Sequence, residues 1–216
     1  MSQYLIGEIP FKTIYLHGML RDNKGQKFSK SLGNGVDPIE IIEEYGADAL
    51  RMSMIVGIGP GADSKFDIQK VKAYKHFANK IWNIARFVVS NTENSLVLSS
   101  GKSPKITKQD QIIISEFDDL IKDVTVDMDN YRFYLAAEKL YHYVWHTFAD
   151  KIVEESKNKL KSENAETIAS IQHTLRHILE TSLILLHPFM PFITEEIWSK
   201  IKNENDKKLL LVTEWP

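Results

Sequence analysis

Residues 24–34, Lys-Gly-Gln-Lys-Phe-Ser-Lys-Ser-Leu-Gly-Asn, set Lys27 and Lys30 three positions apart, with a hydroxyl between them and glycines behind. A loop of this kind can turn several N–H, O–H and ammonium donors toward one anion while remaining mobile, and phosphate is the natural target. Lys27 and Lys30 are the candidate cations, and Phe28, Ser29 and Ser31 complete the anion-facing run. The plainer alternative is a solvated surface run of lysines and serines without chemistry. Ser29 is no candidate nucleophile, because the sequence sets no histidine base beside it.

The elements that must hold this loop can be read on either side of it. Thr13 to Leu20 is rich in β-branched and aromatic residues and leads into Asp22-Asn23-Lys24-Gly25, which predicts a strand entering a tight loop. After Asp37-Pro38, the spacing of Ile41, Ile42, Tyr45, Ala49, Leu50 and Met54 predicts two short helices separated at Gly46. The breakers of residues 57–63 end this part, so we divide the chain into residues 1–65 and 66–216.

From Ile68 onward the pattern is helical. Val71, Tyr74, Phe77, Ala78, Ile81, Trp82, Ala85 and Val88 form one apolar stripe, opposite Lys72, Lys75, His76, Asn79, Lys80, Asn83 and Arg86. Ser90 to Lys108 reads as a loop. Helices are then expected at Gln109–Val126, Tyr131–Lys159, Glu163–Leu186 and Ile193–Ile201, so the fold class is mostly α, a bundle of five helices.

Composition narrows the function classes. The chain has 216 residues, 43% of them hydrophobic and 26% charged, enough for an ordinary globular core. It has no cysteine, and its seven histidines form no HExxH pair, so neither disulfides nor a structural zinc is expected. No membrane span or secretory signal is read, and a cytoplasmic location is expected. Net charge is −2, so any attraction to nucleic acid must be local. Ile68 to Thr92 holds five lysines or arginines and no acid, which makes Lys72, Lys75, Lys80, Asn83 and Arg86 the candidate phosphate-facing surface. A solvated helix face is the alternative. Asn79 and Asn83 could read base edges or be surface polar residues, whereas Trp82, Tyr141, Tyr143, Trp145 and Phe148 are most simply core. His187 before Pro188 is explained by capping and packing. Thr194 is expected to cap a helix whose dipole Glu195 and Glu196 favour.

The run Lys27-Phe28-Ser29-Lys30-Ser31-Leu32-Gly33-Asn34, followed by Asp37-Pro38 and by Tyr45-Gly46-Ala47-Asp48-Ala49-Leu50-Arg51, resembles the KMSKS signature of class I aminoacyl-tRNA synthetases and its continuation. Phe28 stands where that signature has methionine, and can serve as the same apolar anchor. Pro10 to Thr13 leading to His17-Gly18, then Phe77 to Asn83 with Ala85-Arg86-Phe87, is similar to the valine branch of the family, while the block from His187 to Trp198 is shared more widely.

The resemblance implies that residues 1–65 are the last strand and helices of a Rossmann-like nucleotide fold, and that residues 66–216 are an anticodon-binding helical bundle. It implies activation of valine with ATP and Mg2+, transfer to tRNA(Val), and a monomer. Lys30, assisted by Lys27, would stabilise charge on the pyrophosphate side, with residues 27–31 binding ATP; the basic face of Lys72 to Arg86 would meet the tRNA. No HIGH-type motif is present, so the chain is expected to be a C-terminal portion of a longer enzyme and inactive alone. Isoleucine or leucine specificity, or a helical interaction module with a relic loop, are the alternatives.

Overall fold

Asp37 starts the first substantial helix: its carboxylate accepts the Ile39 N–H at 2.8 Å, and Pro38 at the first helical position has no N–H to satisfy. Our computed structural model describes residues 1–92, 104–202 and 207–216. A short helix α1 (Ser2–Ile6) and an extended stretch lead to β1 (Leu20–Arg21). Helices α2 (Pro38–Tyr45) and α3 (Ala47–Ile55) flank Gly46, whose φ of 91° suits glycine and lets the second helix start at a new angle. After β2 (Ser64–Lys65) come α4 (Ile68–Thr92), α5 (Lys108–Asp129) and α6 (Phe133–His142). The last of these continues through a π-helical stretch (Tyr143–Val153) into α7 (Glu154–Leu160). Then follow α8 (Ala165–Leu186), α9 (Pro191–Ile201) and a closing 3-10 turn (Leu210–Val212).

The predicted strand at residues 13–20 is corrected. Only Leu20 and Arg21 are strand, paired in parallel with Ser64 and Lys65. β-branched residues favour an extended backbone, but a strand needs a partner along its length. Here the extended stretch gains only isolated bonds, such as Gly61 N–H to the Leu16 carbonyl at 2.8 Å. Gly18 explains the close approach of this segment to its neighbour: a Cβ there would lie 1.8 Å from the Ala62 carbonyl oxygen.

Five helical rods build the bundle as expected, with shifted bounds. Val71, Tyr74, Phe77, Ile81, Ala85 and Val88 of α4 are buried, while Lys72, Lys75, His76, Asn79, Asn83 and Arg86 are exposed on its other side. The helix packs through its buried side against α3, α8, α9 and the π-helical stretch. Ser90 to Thr92 are helical rather than loop, Thr92 being buried and bonded to the Val88 carbonyl; residues 93–103 of the expected loop lie outside the described residues. The π-helical stretch was not read from the sequence. Its buried residues, Val144, Phe148, Ala149, Ile152 and Val153, recur every four or five positions, a spacing that suits the wider turn. Asp110, fully buried, pairs with Lys159 at 2.6 Å and accepts from Ser170, so α5, α7 and α8 share one polar knot.

Thr194 does not cap α9. The helix begins at Pro191, and Thr194 lies inside it, donating back to the Met190 carbonyl at 2.8 Å and meeting His187 Nδ1 at 2.8 Å. Glu195, instead of only favouring a dipole, accepts the Leu210 N–H at 2.9 Å and holds the C-terminal turn. Among the described residues no helix is long and apolar enough to cross a membrane, and no group of three or more His, Cys, Asp or Glu could hold a metal.

Burial pushes His173, His177 and His187 below the ordinary histidine value of 6.5, and His173 Nδ1 is buried without a hydrogen-bond partner. The unfolded chain therefore takes up protons near 6.5 while the folded one does so only at lower pH. Their contribution to stability is complete above the unfolded value and is lost as pH falls through the depressed values. Urea midpoints should fall as pH is lowered from about 7.5 to about 5.5, more shallowly in a His173→Gln, His177→Gln double variant; equal slopes would contradict this.

Candidate functional site

The lysine-bearing loop is built on Asp22. One oxygen accepts the N–H groups of Lys24 (3.0 Å) and Gln26 (2.8 Å), an Asx turn closed by Gly25 N–H to the Asp22 carbonyl at 2.9 Å, with Gly25 at φ 80°. The other accepts Asn34 Nδ2 at 2.9 Å. The same amide group reaches the Lys27 carbonyl at 3.2 Å, and Asn34 Oδ1 accepts the Ser29 N–H at 2.9 Å. Asn34 thus ties the end of the loop to its start and to both sides of Phe28. The Asn34 amide, followed by the Gln26 and Lys24 N–H groups, holds the Asp22 carboxyl below its ordinary range, so this anchor stays an acceptor.

Beneath the loop, Arg21 Nε donates to Asp63 at 2.7 Å and Arg21 Nη1 to the Gly25 carbonyl at 3.3 Å, while Asp63 also accepts the Met19 N–H at 2.8 Å. The Met19 N–H and then Arg21 hold Asp63 low as well. Phe28 is half-buried, edge-on to Phe66 with ring centroids 6.5 Å apart. An apolar anchor at this position is therefore what the ring provides.

Lys27 is exposed and makes no ion pair among the described residues. Lys30 opens a 3-10 turn, Lys30–Leu32; its side chain lies outside the described residues. Ser29 and Ser31 face one another, Oγ to Oγ at 2.7 Å, which presents two hydroxyls side by side on the loop. Gly33, at φ 61°, turns the chain out of the 3-10 turn.

Three of the five candidate RNA-facing residues, Lys72, Asn83 and Arg86, are exposed on α4 and make no side-chain hydrogen bond or ion pair among the described residues. The other two are tied down. Lys75 donates to the Glu44 carbonyl at 2.7 Å and lies 5.5 Å from the Tyr45 ring centre; Lys80 pairs with Asp150 at 2.7 Å and lies 5.6 Å from the Trp145 ring centre. Trp82 is half-buried, with Lys200 over its ring at 6.0 Å. Phe148 is buried, and Tyr141, Trp145 and Tyr143 are half-buried in an aromatic layer against Phe77 and Phe117.

Sequence reasoning missed Asp22 and Asn34 as the loop's positioning pair, although Asp-Asn-Lys-Gly is a turn signal. It also missed Asp48 and Arg51 of α3. Asp48, buried, accepts the N–H groups of Phe192 (3.2 Å) and Ile193 (2.7 Å), and Arg51 donates to the carbonyls of Pro188 (2.9 Å) and Phe189 (3.1 Å). Burial raises Asp48 above the ordinary carboxylate value, a shift opposed by those two N–H groups and by Arg51. Both belong to motifs that carried the family resemblance, which named them without giving their role.

Residues 1–67 match the family model for tRNA synthetases class I (I, L, M and V), and residues 110–216 match the anticodon-binding domain of tRNA ligase. The chain is 42% identical to the valine–tRNA ligase of Petrotoga mobilis and 40% identical to that of Fervidobacterium nodosum, in each case over 100% of this chain and 24% of the relative. With the Clostridium perfringens valine–tRNA ligase it shares 41% over 98% of the chain and 24% of the relative. The chain thus spans about a quarter of the length of the curated relatives it matches. Among solved structures, the LeuRS–tRNA–LeuAMS ternary complex of Agrobacterium radiobacter K84 superposes with a TM-score of 0.73 at 23% identity, covering 96% of this chain and 24% of that one. The Mycobacterium tuberculosis methionyl-tRNA synthetase in complex with methionyl-adenylate gives 0.71 at 22%, covering 90% and 39%. At these identities the structures establish the fold. The chain belongs to the class I tRNA synthetases of the isoleucine, leucine, methionine and valine group.

Proposed function

We propose that this chain is the part of a valine–tRNA ligase that carries the signature loop and the anticodon-side bundle, in an enzyme that activates valine with ATP and transfers it to tRNA(Val). The observation that carries valine over its neighbours is identity of 40–42% along essentially the whole chain with enzymes named for valine. In the reaction a valine carboxylate oxygen attacks the α-phosphorus of ATP and the bond to pyrophosphate breaks. A ribose hydroxyl at the tRNA 3′ end then displaces AMP from the adenylate. Mg2+ enters as part of the nucleotide substrate.

Lys27 and Lys30 stabilise charge that grows on the triphosphate as pyrophosphate departs, which lowers the barrier more than it aids ground-state binding. Residues 28, 29 and 31 shape and complete this ATP-facing run. The exposed, unpaired state of Lys27, and the two adjacent hydroxyls, support that reading. The breakers before Asp63 and the separate family matches support a division near residue 65. On the bundle side Lys72, Asn83 and Arg86 are the leading tRNA contacts, with Lys75 and Lys80 contributing through a surface they also brace.

In the full-length enzyme, valine-dependent ATP–pyrophosphate exchange should exceed exchange with isoleucine or leucine; a preference for either of those would overturn the valine reading. Lys30→Ala should lower the exchange kcat by about 10² or more while changing the KM for ATP far less. Equal losses in both would show a binding role only. Asn34→Ala, which frees the loop without touching its lysines, should cost between about 10- and 100-fold in the same kcat. Wild-type rates in that variant would remove Asn34 from the account. This chain alone should give no exchange above background. Lys72→Ala and Arg86→Ala should each reduce the salt slope of tRNA(Val) binding by about one; an unchanged slope would clear that residue of phosphate contact.

A further inference from the structure

Between α5 and α6 the chain turns through Tyr131 at φ 58°, the single non-glycine residue at positive φ among the described residues. An aromatic residue is disfavoured there, and glycine or asparagine would be easier. Asn130 is in fact the residue before it. The surroundings enforce the turn: Arg132 N–H reaches the Asp127 carbonyl at 2.8 Å, Tyr131 N–H reaches the Met128 carbonyl at 3.1 Å, and the buried Asp127 carboxylate pairs with Arg132 at 2.9 Å and Lys139 at 2.8 Å. Strain that persists under such bracing points to a use for the side chain.

The ring makes one long-range and one local contact. It lies 6.4 Å from the Tyr15 ring and 6.1 Å from Phe133, and Phe133 lies 5.5 Å from Tyr15, so three rings close on one another. Tyr15 lies on the extended segment that runs through His17 and Gly18 to β1 and the lysine loop. This segment also lines an open cavity of about 360 Å³, to which Leu16 and Gly18 contribute together with Met54, Met128, Phe133 and Phe189. The segment's hydrogen bonds to residues 61–66 hold one flank. The ring cluster braces it against the bundle.

We propose that Tyr131 is a positioning residue: through Tyr15 it fixes the segment that delivers the signature loop, so that a turn of the helical bundle sets the placement of Lys27 and Lys30. The catalytic arm of this inference rests on the proposed valine–tRNA ligase reading, and the structural arm does not.

The test compares Tyr131→Gly and Tyr131→Phe with wild type in the full-length protein. Glycine removes the backbone strain, so Tm should hold or rise. Amide exchange at residues 16–27 should nonetheless accelerate severalfold, locally and not across the bundle. The valine-dependent exchange kcat should fall severalfold with little change in either KM, and Tyr131→Phe should behave as wild type. Wild-type amide exchange in the glycine variant, or acceleration spread evenly over the chain, would overturn the proposal. So would a lowered kcat that phenylalanine fails to rescue. If wild-type protein does not activate valine, the functional reading fails by itself, and the local amide exchange still decides the role of Tyr131.

Discussion

One face of α3 completes the start of α9 and the corner that leads to it. That corner, from His187 to Pro191, has carbonyls at Pro188 and Phe189 and opens onto the free N–H groups at the start of α9, which has no capping side chain of its own. Asp48 takes the N–H groups of Phe192 and Ile193, and Arg51, nearly one turn along α3, takes the carbonyls of Pro188 and Phe189. Removing either side chain while the corner stays packed would leave its partners there without these bonds, and Asp48 carries its burial only with them. The loop-bearing segment is therefore anchored to the bundle by polar groups as well as by the apolar contact of Ala49 and Met52.

Anchoring at that corner orders the rest. α3 packs along α4, and α4 presents its basic face outward because its opposite stripe is spent on the core. The loop stands on a base made by Arg21, Asp63 and the two-residue parallel pair. Its shape comes from within, through Asp22 and Asn34, so the Lys27 side chain is free of structural duty among the described residues where the backbone is not. On α4 the balance differs: Lys75 and Lys80 brace neighbouring elements while remaining part of a positive surface.

Periodicity made the bundle legible. The α4 stripe, the break at Gly46 and the existence of five rods follow from spacings of apolar residues and from glycine, which are local signals. What failed was what depends on partners. Residues 13–20 look like a strand, yet most find no ladder to join. The π-helical stretch keeps its apolar residues inside by a spacing of four and five that a helical pattern also tolerates. Thr194 looks like a cap because the sequence does not reveal that Pro191 starts the helix and Asp48, far away in the chain, does the capping. The candidate run, residues 27–31, could be read from the sequence because it is contiguous, whereas the partners that shape the loop could not, as with Asn34 bridging Asp22 to Ser29.

In the function proposed above, one anchored assembly joins a nucleotide-facing loop to a tRNA-binding surface in an enzyme that selects valine tRNA. The direct measurement is equilibrium binding of the full-length protein to tRNA(Val), to isoleucine tRNA, and to tRNA(Val) with an altered anticodon, all at one salt concentration. Tightest binding to tRNA(Val), weakened by the anticodon change, is what this account predicts. Equal affinity for all three would contradict it.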